Sequence, residues 1–339
     1  MTDLITRAIL AILRNRESPD TDPLDIYYCY RLLLGRHADV QGWHSWKEFI
    51  RSPRPVMQTV AGFMSSPEFV AKHSSSRTRV VENSGMRFAV DPEDDAVGKV
   101  IASGEVYEPD VTAAIKGLLR PDSVFLDIGA NAGWFSLLAA RIATCGRVIA
   151  IEPNPGNVAL LHQSLLENHL SNVVVYHVAA SQADRTLEIR SVQSNGYVAA
   201  ATEARAGVTY AQGVRLDTLL AGEPRIDVIK MDIEGHEMSA LLGMTGLLST
   251  HRPVILTEFH PKNLKELGGI EPLTYLEMLE SLGWILAVIE PDGSSADAGS
   301  AEIMQRWLSQ GGHTDPIGEH HLDLLARPAN PAAKRHSAR

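Results

Sequence analysis

One stretch constrains this chain more than any other. Val124-Phe125-Leu126-Asp127-Ile128 is a short apolar run carrying an acid near its end, and Gly129-Ala130-Asn131-Ala132-Gly133-Trp134 turns it straight into a helical pattern. In that pattern Phe135, Leu138, Ala139 and Ile142 fall on one face. At a parallel strand's carboxyl end the chain must turn sharply and let a ligand approach its backbone, which glycine permits at least steric cost. Further short apolar runs follow at 148–151, 173–178, 228–233, 254–259 and 285–289, most of them separated by helical patterns of crossover length. Asn154 is placed to cap the helix after the second run, with Pro155 in its first turn. Strands buried on both faces and alternating with helices predict an α/β fold with a mostly parallel, doubly wound sheet. Residues 321–327 read as a last strand.

The segment before this pattern has a different character. Residues 1–76 read as a small all-helical domain and its linker, with apolar-periodic segments at 27–34, 43–50 and 56–64. Gly35, Gly42, Pro53 and Pro55 punctuate them, and His73-Ser74-Ser75-Ser76-Arg77 reads as the linker. The main domain is expected over 80–327 and a disordered tail over 328–339. Residues 4–13 form an amphipathic pattern broken by Arg7, which predicts a packing helix, or in the minority reading a weak membrane-surface contact, rather than a targeting signal. The Ala/Ser/Gly-rich stretch 191–212 has no period and reads as an insertion near the site. Residues 291–320 read as loop with a helical turn or two at 302–308.

Composition narrows the class of partner. With 31 basic and 41 acidic residues the formal charge is −10, so the broad cationic face that draws in phosphate backbones is missing and a nucleic-acid substrate is disfavoured. Cys29 and Cys145 lie far apart without paired spacing, which supports neither a disulfide framework nor a zinc site and fits a reducing, cytoplasmic compartment. No window is apolar and long enough for a transmembrane segment.

The chemistry-bearing residues lie at the ends of the predicted strands. Asp127 is placed to meet a ligand bearing cationic amine and sulfonium groups. Glu152, in Ile151-Glu152-Pro153-Asn154, is placed to accept both hydroxyls of a ribose. Gly129-x-x-x-Gly133, with Asn131 between, departs from the G-x-G-x-x-G that a nicotinamide dinucleotide needs for its pyrophosphate, and so favours a ligand with one ribose and no phosphate. Lys230, Asp232 and Glu234 alternate along Val228-Ile229-Lys230-Met231-Asp232-Ile233-Glu234 and so share a face, as do Glu258 and His260 on the next strand. Charges in an otherwise apolar strand need compensation, and a Lys230 salt bridge is the structural reading beside the functional one.

Together these stretches resemble the FkbM family of S-adenosylmethionine-dependent methyltransferases. The resemblance is carried by Asp127 to Gly133, Glu152-Pro153-Asn154, Val214-Arg215-Leu216-Asp217-Thr218-Leu219, Lys230-x-Asp232-x-Glu234-Gly235-x-Glu237, the strand bearing Glu258, and Gly104-Glu105-Val106-Tyr107-Glu108-Pro109. It covers roughly residues 80–327 and implies a Rossmann-like class I methyltransferase fold: a seven-stranded, mostly parallel sheet with an antiparallel last strand. It also implies methyl transfer to oxygen on sugars or secondary metabolites. The cofactor contacts expected on that basis are Asp127, Gly129, Asn131, Gly133, Glu152 and Glu108. Where many class I enzymes carry an acid after the third strand, this chain has Val178-Ala179-Ala180-Ser181, which leaves Ser181 or a backbone carbonyl for the adenine amine. Residues 24–72 resemble a helical domain of unknown function found beside bacterial glycan enzymes, through Tyr30 to Arg36, Ala38-Asp39, Gly42, Trp43, Trp46 and Ser65 to Phe69. That tilts the acceptor toward a glycan.

Transfer to a hydroxyl needs alignment and a base. His260 is the first candidate base and Asp232 the second, with Glu234 orienting the acceptor. An alternative is a divalent cation such as magnesium held by Asp232, Glu258 and His260. A nicotinamide-dependent oxidoreductase and a non-catalytic binding protein on the same scaffold are the other classes open at this point.

Overall fold

The computed structural model describes residues 23–30, 34, 36–39, 42, 45–46, 59, 62–63, 66–69, 77–94, 97–192, 195–201, 208–310 and 320–329. The helix expected at 4–13, residues 73–76 of the linker and residues 330–339 of the tail lie outside them; Pro328, expected in that tail, ends the last strand. The chain divides into two compact units, Met1–His73 and Ser74–Arg339.

In the first unit, helix α1 (Pro23–Tyr28) leads into an aromatic cluster. Tyr30 meets Phe63 edge-on with ring centroids 4.8 Å apart, and Trp46 stacks on the same Phe63 at 4.1 Å. The Arg36 guanidinium lies 4.9 Å from the Tyr30 ring centroid and pairs with Glu68 and Asp39. Asp39 in turn accepts the backbone N–H of Gly42 at 2.6 Å.

The second unit opens with a hairpin, β1 (Arg79–Asn83) and β2 (Met86–Val90), turning through Ser84 and Gly85 at positive φ. Helices α2 (Gly98–Ser103) and α3 (Pro109–Leu118) follow, then β3 (Val124–Ile128), α4 (Trp134–Ile142), β4 (Arg147–Ile151), α5 (Pro155–Glu167) and β5 (Val173–Tyr176). Next come β6 (Ala179–Ala180), β7 (Arg185–Val192), β8 (Asn195–Ala200), β9 (Thr209–Val214) and α6 (Leu216–Leu219). The remainder runs β10 (Val228–Met231), α7 (Glu237–Leu242), α8 (Thr245–His251), β11 (Val254–Phe259), α9 (Pro261–Glu266) and α10 (Pro272–Ser281). It closes with β12 (Trp284–Ile289), β13 (Ser295–Asp297), α11 (Ser300–Ser309) and β14 (Leu322–Pro328).

The main sheet has the order β13-β12-β14-β11-β10-β3-β4-β5. β11, β10, β3, β4 and β5 are mutually parallel, and β14 enters antiparallel between β11 and β12. This is the expected seven-stranded sheet with a three-residue edge strand, β13, added outside β12. Phe125, Leu126 and Ile128 are fully buried, as double coverage of a central strand requires. Ile128, Ile149, Ile229, Met231 and Phe259 belong to one core shared with Leu241, Leu264 and Leu276 from the helices. From β3 the chain steps outward to β4 and β5 on one side, while β10 and β11 lie on the other. The crevice at such a reversal, over the strands' carboxyl ends, is where ligands enter sheets of this kind.

The stretch expected to be an insertion without period forms most of a second sheet, of order β6-β9-β7-β8, whose small core is Ala179, Leu187, Ile189, Val198 and Ala211. Likewise 291–320 contains a ten-residue helix, α11, where a turn or two was expected.

Candidate active site

A cavity of about 680 Å³ opens over the carboxyl ends of β3, β4, β10 and β11. Ala179, Ile189 and Val198 of the second sheet wall it on one side, and Tyr107, Glu108 and His321 on the other.

One half is built around Glu152 at the end of β4. Its carboxylate is buried and accepts the backbone N–H of Asn131 on Oε2 and that of Asn154 on Oε1, each at 2.8 Å. Burial pushes this carboxyl up to about 7, against the pull of those two amides. Asn157 Nδ2 lies 3.5 Å from Oε1 as a third, longer donor, and the carboxylate keeps acceptor capacity for a hydroxyl on Oε2. Asn131 stands at φ 49°, and its own Oδ1 accepts the N–H of Ala132 at 2.8 Å. Asn154 caps α5 by accepting from the Gly156 N–H at 2.9 Å.

The glycines of the loop act on the protein before they act on any ligand. At Gly129 (φ 87°) a Cβ would lie 1.9 Å from the Asp232 carbonyl oxygen, and at Gly133 (φ 97°) it would lie 2.4 Å from Leu161 Cδ1. Gly129 and Asn131 line the cavity; Gly133 does not. Asp127 and Ser181 also stand outside the lining. Asp127 is fully buried, accepts the Ser136 Oγ–H at 2.6 Å, and has its carboxyl pushed up to about 6 by burial. It therefore braces β3 against α4 beneath the loop, where the sequence suggested a ligand contact. Ser181 is fully buried beyond β6, with its N–H donated to Val214 O, so the cavity wall there is Ala179 and Ala180 instead.

The other half is charged. Lys230 is buried on β10, donates to Asp232 Oδ2 at 2.7 Å and lies 4.6 Å from the Phe135 ring centroid. The salt bridge expected of Lys230 is thus present, and Asp232 is its partner. Glu234 sits at φ 54°, a backbone state costing on the order of 1–2 kcal/mol for a non-glycine residue. Asn263 Nδ2 holds its Oε2 at 2.7 Å. Burial and the neighbouring Asp232 push the Glu234 carboxyl up to about 7. Gly235 follows at φ 91°, with the Asn263 carbonyl 2.4 Å from where a Cβ would stand. Glu237 closes this turn by accepting the N–H groups of Ile233 and Gly235 at 3.1 and 3.2 Å.

Glu258 and His260 leave β11 toward the same space. Burial and then the charge of Asp232 push the Glu258 carboxyl well above the usual range, and its Oε2 is buried without a hydrogen-bond partner. His260 is 6% exposed and caps α9, its Nδ1 accepting the backbone N–H of Asn263 at 3.2 Å. A neutral ring bonded in this way carries its proton on Nε2.

Sequence reasoning missed Tyr107, His321 and Asn263. His321 Nδ1 lies 3.4 Å from Glu258 Oε1, and its ring stacks on His260 with centroids 6.4 Å apart. Glu108, anticipated from its motif, precedes α3 at φ 40° and lines the cavity; burial pushes its carboxyl up while Lys230 draws it down. Six non-glycine residues have positive φ among the described residues, and Glu108, Asn131 and Glu234 of these line this one cavity. Such concentrated strain marks sites where geometry is held for use. Among the described residues no three His, Cys, Asp or Glu side chains converge to hold a metal ion, so the alternative of a magnesium ion on Asp232, Glu258 and His260 is not supported.

Comparison with known proteins decides the family. The model of the methyltransferase FkbM domain matches residues 127–311, more than half of the chain. The chain belongs to the FkbM methyltransferase family. The enzyme is 30% identical over 176 residues to the hexuronic acid methyltransferase AglP of Haloferax volcanii, a match covering 51% of this chain and 67% of that one. It is 27% identical over 201 residues to the AMB antimetabolite synthetase AmbE of Pseudomonas aeruginosa, covering 47% of this chain but 9% of that protein. A crystal structure of methyltransferase FkbM from Methylobacillus flagellatus aligns with a TM-score of 0.38 at 16% identity, covering 88% of this chain and 58% of that one. Among the described residues of this methyltransferase, no helix is long and apolar enough to cross a membrane.

Proposed function

We propose that this methyltransferase transfers the methyl group of S-adenosylmethionine to a hydroxyl of a sugar. The observation that carries this reading is the continuity of the cavity, which joins Glu152 and the Asn131 loop at one end to Asp232, Glu234, Glu258 and His260 at the other. The donor set at the first end fits the cofactor. Glu152 is a buried acid with acceptor capacity left for a ribose, Ala179 and Ala180 with Ile189 and Val198 offer an apolar slot for a base, and the Asn131 N–H of the Gly129 loop is given to Glu152 rather than left for a phosphate. S-adenosylmethionine, when bound, supplies a methyl group on a cationic sulfur.

The chain's own residues must then hold the acceptor oxygen in line and take its proton as the new oxygen–carbon bond forms. The Nδ1 bond from Asn263 makes His260 a donor at Nε2, which suits it to positioning the acceptor rather than deprotonating it. Asp232 has one oxygen committed to Lys230. Glu234, with its carboxyl near neutrality, is the better base, and Asp232 and His260 orient the acceptor around it. Glu108, on the opposite wall, completes the site. A sugar acceptor is supported by the similarity to an enzyme named for hexuronic acid.

The test is isothermal titration with S-adenosylmethionine and with NAD, followed by turnover on a glycan preparation. Binding of NAD with no binding of S-adenosylmethionine would end the reading. EDTA should leave turnover intact; its loss on chelation, and return with magnesium, would reinstate the cation.

A further inference from the structure

The family's reaction requires an acceptor to enter the cavity of about 680 Å³, and the charges at its acceptor end limit what that acceptor can carry. Four carboxylates line it: Glu108 from the turn before α3, Asp232 and Glu234 after β10, and Glu258 from β11. Asp323, on β14, lies 3.9 Å from His321 behind them. Against these stands Lys230, already held by Asp232 at 2.7 Å. Among the described lining residues Lys230 is the one lysine and there is no arginine, the side chain whose planar fork recognises carboxylates. Of the histidines, His260 gives its Nδ1 to a backbone N–H, His321 is shared between Glu258 and Asp323 and draws the Glu234 and Asp323 carboxyls down, and burial pushes His236 down to about 4.

The carboxyls themselves report the shortage of positive charge. Glu108, Glu234 and Glu258 are all raised, with burial the largest cause and Asp232 next to raise each. Glu258 also keeps a buried oxygen without any partner. The methyl donor brings one net positive charge, which these acids already face. An anionic ring placed here would be desolvated beside these acids, and the one lysine among the described lining residues is already paired with Asp232.

We propose that the acceptor is a sugar whose reacting ring carries no negative charge, either neutral or amine-bearing, so that a uronate is excluded. This rests on the reading of the enzyme as a sugar hydroxyl methyltransferase, and it separates this chain from its relative named for hexuronic acid. An amine on the ring would be received by the same carboxylates that repel a uronate, and like-charge juxtaposition of this kind selects between ligands by about tenfold or more.

The experiment incubates the full chain with methyl-labelled S-adenosylmethionine and a glycan extract of the cells it comes from. Mild alkali separates an ester label, released as methanol, from an ether label, which stays. The surviving sugars are hydrolysed and resolved by charge. The expected result is alkali-stable label moving with neutral or cationic monosaccharides. Label in a uronic acid, whether released as methanol or retained on an anionic sugar, overturns the proposal. Label in a product that is no carbohydrate ends the sugar reading instead. The charge of that product then decides the rest: an anionic one overturns the inference, and a neutral or cationic one upholds it.

Discussion

The backbone N–H of Asn131 donates to Glu152 Oε2 at 2.8 Å, which ties the glycine loop after β3 to the acid at the end of β4 before any ligand arrives. The loop is thereby preorganised, and the carboxylate is oriented by the same bond.

Replacing Glu152 should therefore act twice. Glu152→Ala removes a charged acceptor and loosens the loop, and the affinity for S-adenosylmethionine should fall by about 1.5–3 kcal/mol. Glu152→Gln keeps one acceptor oxygen and should lose less. Titration calorimetry of both variants decides; unchanged affinity in Glu152→Ala removes the residue from the cofactor site.

A base near neutrality leaves a mark in the pH profile. The carboxyl of Glu234 is raised to about 7, so the deprotonated fraction grows as pH rises through that value. Turnover per unit KM should climb across pH 6–8 and level off above. Glu234→Gln should lower turnover by ~10²–10⁴ and abolish the limb, with cofactor affinity kept. A wild-type rate in this variant, with His260→Ala inactive, would return the base to His260.

Gly129→Ala should be severe although the added group is one methyl. Its Cβ would stand 1.9 Å from the Asp232 carbonyl, at φ 87°. Either the loop or the end of β10 must move, so cofactor affinity and melting temperature should fall together. A variant that melts and binds like the parent would show the approach to be looser than described.

Stability should fall as pH rises toward neutrality. Glu152, Glu237, Glu234 and Asp323 are pushed up to about 7, and Asp127 to about 6, all by burial first. Unfolded, such acids ionise near pH 4. Between these values the folded chain holds protons that the unfolded chain has released, so each step up in pH favours unfolding. His162 and His236, pushed down to about 4, act in the opposite sense below about 6.5. Five acids outweigh two histidines, so the net decline should run from about pH 5 to 7 and flatten above about 7.5, where these carboxyls ionise in the folded chain as well. Thermal melts of the cofactor-free enzyme across that range would refute this by rising.

A chain shortened to begin at Ser74 should keep its fold and bind cofactor. β2 is tied to the α5 region inside this unit, by Ala89 N–H to Ser164 Oγ at 2.9 Å and by Arg87 N–H to Asn168 Oδ1 at 3.0 Å. Circular dichroism and titration calorimetry check it; insolubility or loss of binding would make the first unit part of the catalytic domain.

The central strands were legible because burial on both faces leaves a continuous apolar run. The run expected at 254–259 is β11, residue for residue, and 124–128 is β3. The second sheet was not legible. Ala, Ser and Gly give little alternation, and β7, β8 and β9 hold through pairing and a five-residue core that comes together only in space. In the site, acids and a histidine at strand ends could be seen because charge interrupts a hydrophobic pattern. Tyr107, Asn263 and His321 could not, since each reaches the cavity from a turn, a helix or the segment before an antiparallel strand. Asp127 shows the converse limit: an acid can interrupt a strand in order to brace a helix through Ser136.

The close passage of Gly129 under the Asp232 carbonyl bears on how other chains of this pattern are to be sorted. A duplicated copy that had lost all transfer would still be obliged to keep glycine there, because the obstacle belongs to the polypeptide and not to its substrate. That glycine therefore certifies a fold, and a search resting on it gathers working and silent copies alike. Glu234 and Glu258 have no such excuse. An unused copy would gain stability by replacing them with apolar residues, so their joint survival is the better sign of a living enzyme.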